Sequence, residues 1–267
     1  YPLPFRRNST SGPLIIASIR KAPTAVKIKF TNKVKTDLVF APSENLADKF
    51  RTEKETTYTR FIANEGLDII NGLYVRNLNQ VELKPWARRG GNAVFINHDA
   101  SRTTNDCYVM EIPAGSKLVP QRQLFEETIL ILSGRGSTTV WNDRGDKASF
   151  EWGPGAIFGI PLNANHQHFS GSGIEPARYV SVTNMPPLMN VFEDPEFIFG
   201  TNYDFLGRFS GEPDYFADQG EQKGLLMETN FVADAVNLPL IEAKERGAGG
   251  GHIRFQLAKC SMNSHIS

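Results

Sequence analysis

Short runs of β-branched and aromatic residues, separated by Gly, Pro, Asn and Asp, dominate the central part of this 267-residue chain. Alternation of apolar and polar positions over about four to eight residues is typical of strands that bury one face. Regularly spaced strands with turn residues between them favour a sandwich or a barrel over βαβ units. The pattern therefore predicts an all-β domain. Its six clearest strands are Ala93–Ile96, Tyr108–Ile112, Thr128–Leu132, Ser137–Trp141, Ile157–Ile160 and Arg178–Thr183.

Two regions outside these strands have a different pattern. From Ser43 to about Gly66 apolar side chains recur at helical spacing, and Ser43 is placed to cap the first turn. We therefore expect a helical segment over residues 43–76. After Pro186 the strand pattern gives way to an aromatic-rich stretch, and residues 191–236 are predicted to form an irregular or helical connector.

An internal repeat relates two parts of the chain at a constant offset of 160 residues. Self-similarity at one spacing indicates a duplicated supersecondary unit. Because the second copy has sequence only for opening strands, residues 237–267 are expected to be an incomplete second repeat. The matching positions are Asn77-Leu78, Glu82, Lys84, Gly90-Gly91 and Phe95 in the first copy and Asn237-Leu238, Glu242, Lys244, Gly250-Gly251 and Phe255 in the second.

A first motif places polar residues between two glycines. Gly115 is followed at fixed spacing by Gln121, Gln123, Glu127 and Gly134. This run resembles the first signature of the cupin superfamily, G-x5-H-x-H-x3,4-E-x6-G. Glutamine stands in place of both histidines of that pattern.

A second motif joins Gly155, Pro161 and His166. It resembles the second cupin signature, G-x5-P-x-G-x2-H-x3-N, with Asn163 in place of the glycine and Ser170 in place of the asparagine. The resemblance extends over about residues 77–185. The surrounding sequence is also similar to that of uncharacterised bicupins, which have two cupin barrels and are related to the aromatic-ring dioxygenase cupins.

The resemblance implies an all-β cupin barrel, a double-stranded β-helix or jelly roll, at residues 77–190. An N-terminal helical extension precedes the barrel, and the opening strands of a second, truncated cupin repeat follow it. Residues 1–42 are predicted to be a basic extension. Together these parts are expected to form the N-terminal half of a bicupin.

Five polar side chains are expected to converge inside that barrel. Because side chains alternate between the faces of a strand, Gln121 and Gln123 point to one side, as do His166 and His168. With Glu127 they form the predicted ligand pocket, in which no catalytic residue is assigned. A buried polar group without a partner costs on the order of 1–3 kcal/mol. These groups therefore need each other, water, a metal or a ligand.

The resemblance also implies a metal site, whose ligands here would be Glu127 and His166 with Gln121, Gln123 or His168. Imidazole suits Fe, Mn, Zn or Ni, whereas an amide oxygen is a neutral and poorer donor. We therefore expect one divalent ion to bind weakly or not at all in this barrel. Three interpretations stay open: a metal site, a hydrogen-bonded polar cluster, and a metal-free pocket for a polar small molecule.

The predicted function is that of a cupin-fold small-molecule-binding protein with a degenerate metal site. One alternative is a metal-dependent oxidoreductase, an Fe(II) dioxygenase of an aromatic or hydroxylated acid, and another is a structural bicupin of the storage type. Strands that begin a second barrel leave unpaired backbone groups at a sheet edge. We therefore expect a homo-oligomer.

Charge and cysteine content narrow the class of protein. Basic and acidic side chains number 29 each, which argues against a nucleic-acid partner, and no apolar run is long enough for a membrane span. Cys107 and Cys260 lack metal-site spacing and suit free thiols in a reducing, intracellular compartment, with the cytoplasm favoured. Residues 1–36 contain basic but no acidic side chains, which allows organellar import. Glu126, on the opposite face from Glu127, is expected to be solvated or to cap a turn rather than to belong to a catalytic pair.

Overall fold

The computed structural model describes residues 55–98, 104–217, 220–223, 226–239, 241–242, 251–261 and 263–266. The extension predicted for residues 1–42 and the cap at Ser43 lie outside these ranges. No helix in the described part of the chain is long and apolar enough to cross a membrane.

Sixteen strands and three α-helices form the described part of the chain. The helices are α1 Thr57–Asn64, α2 Met185–Phe192 and α3 Pro195–Gly200. The strands are β1 Ile69–Gly72, β2 Lys84–Trp86, β3 Gly91–His98, β4 Asp106–Ile112, β5 Glu127–Ser133, β6 Gly136–Trp141, β7 Lys147–Trp152, β8 Ile157–Ile160, β9 Asn165–Ser170, β10 Ala177–Thr183, β11 Glu221–Lys223, β12 Leu226–Thr229, β13 Phe231–Val232, β14 Ile241–Glu242, β15 Gly251–Leu257 and β16 Asn263–Ile266.

The larger sheet of the barrel has the strand order β1-β3-β4-β10-β5-β8-β13, with β2 paired to β3. All of its pairs are antiparallel except β1 with β3. Its central strands bury both faces: Val94 and Val109 pack on the outer face, whereas Phe95 and Tyr108 pack inside the barrel. This double burial explains the nearly continuous apolar runs in their sequences.

A smaller antiparallel sheet, β7-β6-β9, faces the larger one. Isolated bridges from Lys117 to Phe169 and from Gln121 to His166 add the segment 117–121 to its β9 edge. The two sheets enclose one apolar core and form an all-β barrel, which confirms the predicted all-β class. All six strands predicted from the sequence are present.

The helical prediction for residues 43–76 was too long. Among the described residues of that segment, α1 covers only Thr57–Asn64, and Ile69–Gly72 forms strand β1. Thr56 caps α1 through a capping box with Thr59. The helix buries Tyr58 and Phe61 against the barrel, while β1 pairs parallel to β3, a partner that local periodicity does not reveal.

The glycines of both motifs occupy left-handed turns, as the spacing of turn residues predicts. Gly115, Gly134 and Gly155 have φ values of 65°, 77° and 85°. Asn163, which replaces the glycine of the second signature, keeps a left-handed φ of 56°. Asparagine tolerates this region better than most side chains. Its Nδ2 also donates to the carbonyls of Thr201 and Tyr203 at 2.9 and 2.8 Å.

The connector predicted as irregular or helical over residues 191–236 contains more strand than expected. Helix α3 begins after an Asp194 cap, and the short strands β11, β12 and β13 follow. Strand β13 extends the larger sheet by pairing Phe231 with Phe158 of β8. Strands of two to four residues are too short for their periodicity to be recognised in the sequence.

The sequence repeat is also a repeat of strand pairing. Strand β3 has β1 parallel to it and β2 and β4 antiparallel, and β15 has β12 parallel to it and β14 and β16 antiparallel. Phe95 of β3 lies opposite Ile69 and Tyr108, and the equivalent Phe255 lies opposite Met227 and Ser264. That residues 237–267 begin a second cupin barrel stays a prediction.

Strand β15 packs against the outer face of the barrel. Ile253, Phe255 and Leu257 are buried in one cluster with Ile157 of β8 and Val232 of β13. Side chains at every second position of β15 share this face, so the strand presents an apolar row to the barrel.

Glu126 connects the loop after β15 to the barrel. It is buried and not solvated, and of the two expected roles it has the one of capping a backbone N–H group. The residue is only 4% exposed. Its carboxylate accepts the Ser261 backbone N–H at 2.9 Å and the Ser261 hydroxyl, and pairs with Arg208 at 3.2 Å. The Asn184 side chain accepts its backbone N–H at 2.8 Å. These partners are distant in sequence, so local pattern could not predict the burial.

Replacing Glu126 by alanine should destabilise the protein, since three hydrogen bonds and one ion pair to a buried carboxylate are lost. We expect the free energy of unfolding to fall by about 2–3 kcal/mol in chemical denaturation. Glu151→Ala, at an exposed position of β7, is the matched control and should change it by no more than about 0.5 kcal/mol. Equal effects of the two substitutions would show that Glu126 contributes no anchoring.

Candidate functional site in the barrel interior

Glu127 is the centre of the polar network inside the barrel. It begins β5 and is fully buried. Its Oε1 accepts hydrogen bonds from the Tyr108 hydroxyl and, at 2.6 Å, from the Ser181 hydroxyl. Its Oε2 accepts from Gln123 Nε2 at 2.8 Å. Burial and the neighbouring Glu127 charge raise the pKa of Tyr108 well above its usual value, so this hydroxyl remains a donor.

Gln121 and Gln123 form a chain whose orientation Glu127 determines. Because the carboxylate accepts a hydrogen bond, Gln123 must direct its NH₂ group at Glu127 and its carbonyl away from it. That carbonyl accepts from Gln121 Nε2 at 2.8 Å. The chain ends at Gln121 Oε1, which is buried and has no hydrogen-bond partner.

His166 directs an unshared lone pair into the same interior. Its Nδ1 lies 3.2 Å from the carbonyl of Ala164, which can only accept, so Nδ1 carries the proton and Nε2 is an acceptor. His166 Nε2 lies 3.9 Å from Glu127 Oε2 and has no hydrogen-bond partner. Burial, with the Arg89 charge as a smaller cause, lowers the pKa of His166 to about 4. The ring is therefore neutral at physiological pH.

His168 has the opposite tautomer. Trp152 Nε1 donates to the Thr138 hydroxyl at 2.8 Å, and that hydroxyl lies 2.7 Å from His168 Nδ1. Since the Thr138 proton is free to bond His168, Nδ1 accepts and Nε2 carries the hydrogen. His168 Nε2 is buried and unpartnered. Burial lowers the pKa of His168 well below its usual value.

A close approach of the backbone at Gly136 makes the Trp152 contact possible. A Cβ atom at Gly136 would lie 2.2 Å from Cη2 of Trp152 and 2.2 Å from the carbonyl oxygen of Phe169. No side chain fits there, so glycine is required for Trp152 to reach Thr138.

The structure brings all five predicted pocket residues to the barrel interior, but it separates them into two groups. Gln121, Gln123 and Glu127 are hydrogen-bonded in series, with His166 beside them. His168 belongs to a separate chain with Thr138 and Trp152, and its ring centroid lies 5.4 Å from that of His166.

Sequence reasoning missed four interior polar residues. Tyr108 and Ser181 lie within apolar strand runs that predict packing rather than hydrogen bonding to Glu127. Tyr179 is only 1% exposed, and its hydroxyl lies beside Arg89 and Tyr108. Arg89, also 1% exposed, follows the half-buried Arg88 in a turn. The adjacent glycines were a signal for a tight hairpin, but they do not reveal which arginine points inward.

The donors do not fit a tightly bound divalent ion. In the orientation that Glu127 requires, Gln123 directs an N–H group at the carboxylate, where a cation would need an oxygen. Glu127 Oε1 is already used by two hydroxyl donors, and His166 Nε2 is the remaining imidazole donor beside the carboxylate. Within the described ranges no cluster of three His, Cys, Asp or Glu side chains has metal-site geometry. We therefore derive no chemistry through a metal here.

No protein-family model and no curated protein sequence matches this chain. Among solved structures, it is similar to the Lactobacillus farciminis oxalate decarboxylase formate complex, with 19% identity over 40% of this chain and 32% of that one and a TM-score of 0.35. It is also similar to Bacillus subtilis oxalate decarboxylase at pH 4.6, with 15% identity over 40% of this chain and 28% of that one and a TM-score of 0.34. The matched part is thus about a third or less of each solved chain.

Cys107 and Cys260 are free thiols, as predicted. Burial raises the pKa of each to about 12, so neither is a reactive thiolate at neutral pH.

The buried neutral His166 should make stability depend on pH. An unfolded imidazole takes up a proton near pH 6.5, whereas folded His166 does so only near pH 4. Its contribution is therefore present above pH 6.5 and is lost as the pH falls toward 4. The free energy of unfolding of the wild type, minus that of His166→Gln, should fall by about 1.4 kcal/mol per pH unit across this window.

Subtracting the free energies of unfolding of the two proteins cancels the contributions of other titrating groups. One of these is Asp106, whose pKa is raised by burial to about 7. Ser149→Ala, at an exposed position of β7, removes no titratable group and is the control; its difference from the wild type should not change with pH. A flat difference for His166→Gln between pH 6.5 and 4 would mean that this imidazole is not held neutral by burial.

Proposed function

We propose that this barrel binds a small polar molecule directly, through its interior side chains, without a catalytic metal. Three buried atoms support the proposal: Gln121 Oε1, His166 Nε2 and His168 Nε2 are all enclosed and unpartnered. Leaving such an atom unsatisfied costs on the order of 1–3 kcal/mol. A ligand with matching hydrogen-bond groups would remove this cost.

An open surface groove lies at the outer end of the glutamine chain. Its volume is about 370 Å³. Gln121 lines the groove and is also the outer end of the glutamine chain that leads to Glu127. The groove is lined by Arg88, Val119, Pro120, Gln121, Arg122, Asn165 and Phe199.

The competing function is a metal-dependent oxidoreductase, with Glu127 and His166 as ligands. Their 3.9 Å separation across the interior supports this alternative, since both atoms face one place. The Gln123 N–H group that occupies the second oxygen of Glu127 argues against it. The two functions make different predictions for metal content and for ligand binding.

Screening polar metabolites by thermal shift and saturation-transfer NMR tests the proposal. We expect a compound class that stabilises the wild type by about 2.7 kcal/mol at a hundredfold excess over Kd, and that loses this effect in His168→Phe and Gln121→Leu. His98→Gln is the matched control and should bind normally. Protein purified without added metal should contain far less than one equivalent of Fe, Mn, Zn or Ni.

Two results would contradict the proposal. One is a stoichiometric metal ion that disappears in His166→Ala, which would favour the oxidoreductase. The other is a screen in which every stabilising compound acts equally on the wild type and on both interior variants.

We also propose that the protein is a homo-oligomer, with contacts on α2 and α3. Val191, Phe192 and Phe197 are 74%, 46% and 43% exposed, and the two phenylalanine rings lie 5.0 Å apart. Exposed apolar patches commonly mark interaction surfaces.

Sedimentation velocity tests this surface. Phe192→Ser combined with Phe197→Ser should lower the sedimenting mass relative to the wild type, because the apolar contact is removed. Ile174→Ser, at an 89%-exposed loop position, should leave the mass unchanged. A wild type that sediments as a monomer at high concentration would refute the proposal.

A further inference from the structure

Arg89 enters the barrel from the hairpin between β2 and β3. The Trp86 carbonyl accepts the backbone N–H groups of Arg89 and Gly90 at 3.0 and 2.9 Å, and Gly90 closes the turn with a φ of 71°. The Val119 N–H donates to the Arg89 carbonyl at 2.7 Å, and Arg89 Nη1 donates to the Val119 carbonyl at 3.0 Å. These contacts hold the guanidinium in place and leave the residue 1% exposed.

One edge of this guanidinium is free. Nε–H and Nη2–H lie side by side on that edge, and both nitrogens are buried without a hydrogen-bond partner. Parallel N–H groups of this kind match the two oxygens of a carboxylate. Among the described residues no carboxylate is within ion-pair distance of Arg89, whereas Arg88, Arg122, Arg178 and Arg208 each pair with Asp or Glu.

The free edge belongs to the same interior as the predicted pocket. The Arg89 charge contributes to the lowered pKa values of His166 and His168. It also opposes the rise in the pKa of Tyr179 that burial causes, both through its charge and as a side-chain hydrogen-bond partner, so the Tyr179 hydroxyl lies beside the guanidinium. The ring centroid of His168 lies 5.4 Å from those of both His166 and Tyr179. A buried cation without a counter-charge costs several kcal/mol. Glu127 lies in the same interior, but its ion-pair contact among the described residues is with His166 and not with Arg89.

We propose that Arg89 binds the carboxylate of a small hydroxy acid, with both oxygens on Nε–H and Nη2–H. The His168 Nε2–H group offers a further donor to the acid. His166 Nε2 and Gln121 Oε1 can only accept, so the ligand must bring a donor of its own, which a hydroxyl group supplies. This inference rests on the proposed function and specifies the chemistry of its ligand.

The proposed anion site is particular to the first copy of the repeat. At the offset of 160 residues Arg89 corresponds to Gly249, although the glycines beside it are retained at positions 250 and 251. The turn sequence is thus kept while the cation is not.

Isothermal titration calorimetry with glycolate, acetate and glycolamide tests the inference. Glycolate should bind the wild type at least about tenfold more tightly than glycolamide, which lacks the charge, and more tightly than acetate, which lacks the hydroxyl. Arg89→Gln should weaken glycolate binding by at least about tenfold. Arg144→Gln, at an exposed arginine between β6 and β7, should leave it unchanged. Without ligand, Arg89→Gln should unfold at the same temperature as the wild type or higher, because an unpaired buried charge is removed.

Glycolate and glycolamide binding equally, or glycolate binding equally to the wild type and Arg89→Gln, would overturn the inference. Failure of all three compounds to bind the wild type would also overturn it. In that case the proposed function is retained only if the metabolite screen finds a ligand whose binding depends on His168. Without such a ligand, the proposed function is rejected together with the inference. If Arg89→Gln does not fold, the selectivity of the wild type among the three compounds decides the question.

Discussion

Burial of the Glu127 carboxylate constrains the whole interior of the barrel. A charge enclosed by two sheets must be hydrogen-bonded, and Tyr108, Ser181 and Gln123 each donate to it. Because the carboxylate only accepts, it determines which way Gln123 points, and Gln123 in turn orients Gln121. The hydrogen-bond requirement of Glu127 thus determines the orientation of the Gln121 amide, two hydrogen bonds away. The same orientation directs N–H groups to the place where the cupin metal pattern would need lone pairs.

Two adjacent carboxylates organise opposite faces of one strand. Glu127 faces the interior, whereas Glu126 lies outside the barrel and holds Ser261 and Arg208. The start of β5 therefore connects the polar interior to the five-stranded sheet formed by β11, β12, β14, β15 and β16. That sheet repeats the pairing pattern of β1 to β4. It also covers the apolar outer face of β8 with its own apolar row.

The interior contains more hydrogen-bonding capacity than its own side chains satisfy. Gln121 and Gln123 are hydrogen-bonded to each other, and Gln123 is hydrogen-bonded to Glu127, whereas the Nε2 atoms of His166 and His168 have no hydrogen-bond partner. Arg89 adds a cation with a free edge. An amide oxygen is a neutral and poor metal donor, so the groups present here offer hydrogen bonds more readily than metal coordination. This difference underlies the proposal of direct ligand binding.

The sequence by itself determined the strands of the barrel, the left-handed turns at Gly115, Gly134 and Gly155, and the inward direction of the five polar side chains. Each follows from a local rule: a period of two along a strand, or a backbone angle that glycine adopts at low cost. Only the tertiary structure decided that Arg89 lies inside and Glu126 is buried. Their environments depend on Val119 and Ser261, which are distant in sequence, and no local periodicity encodes a contact between distant segments.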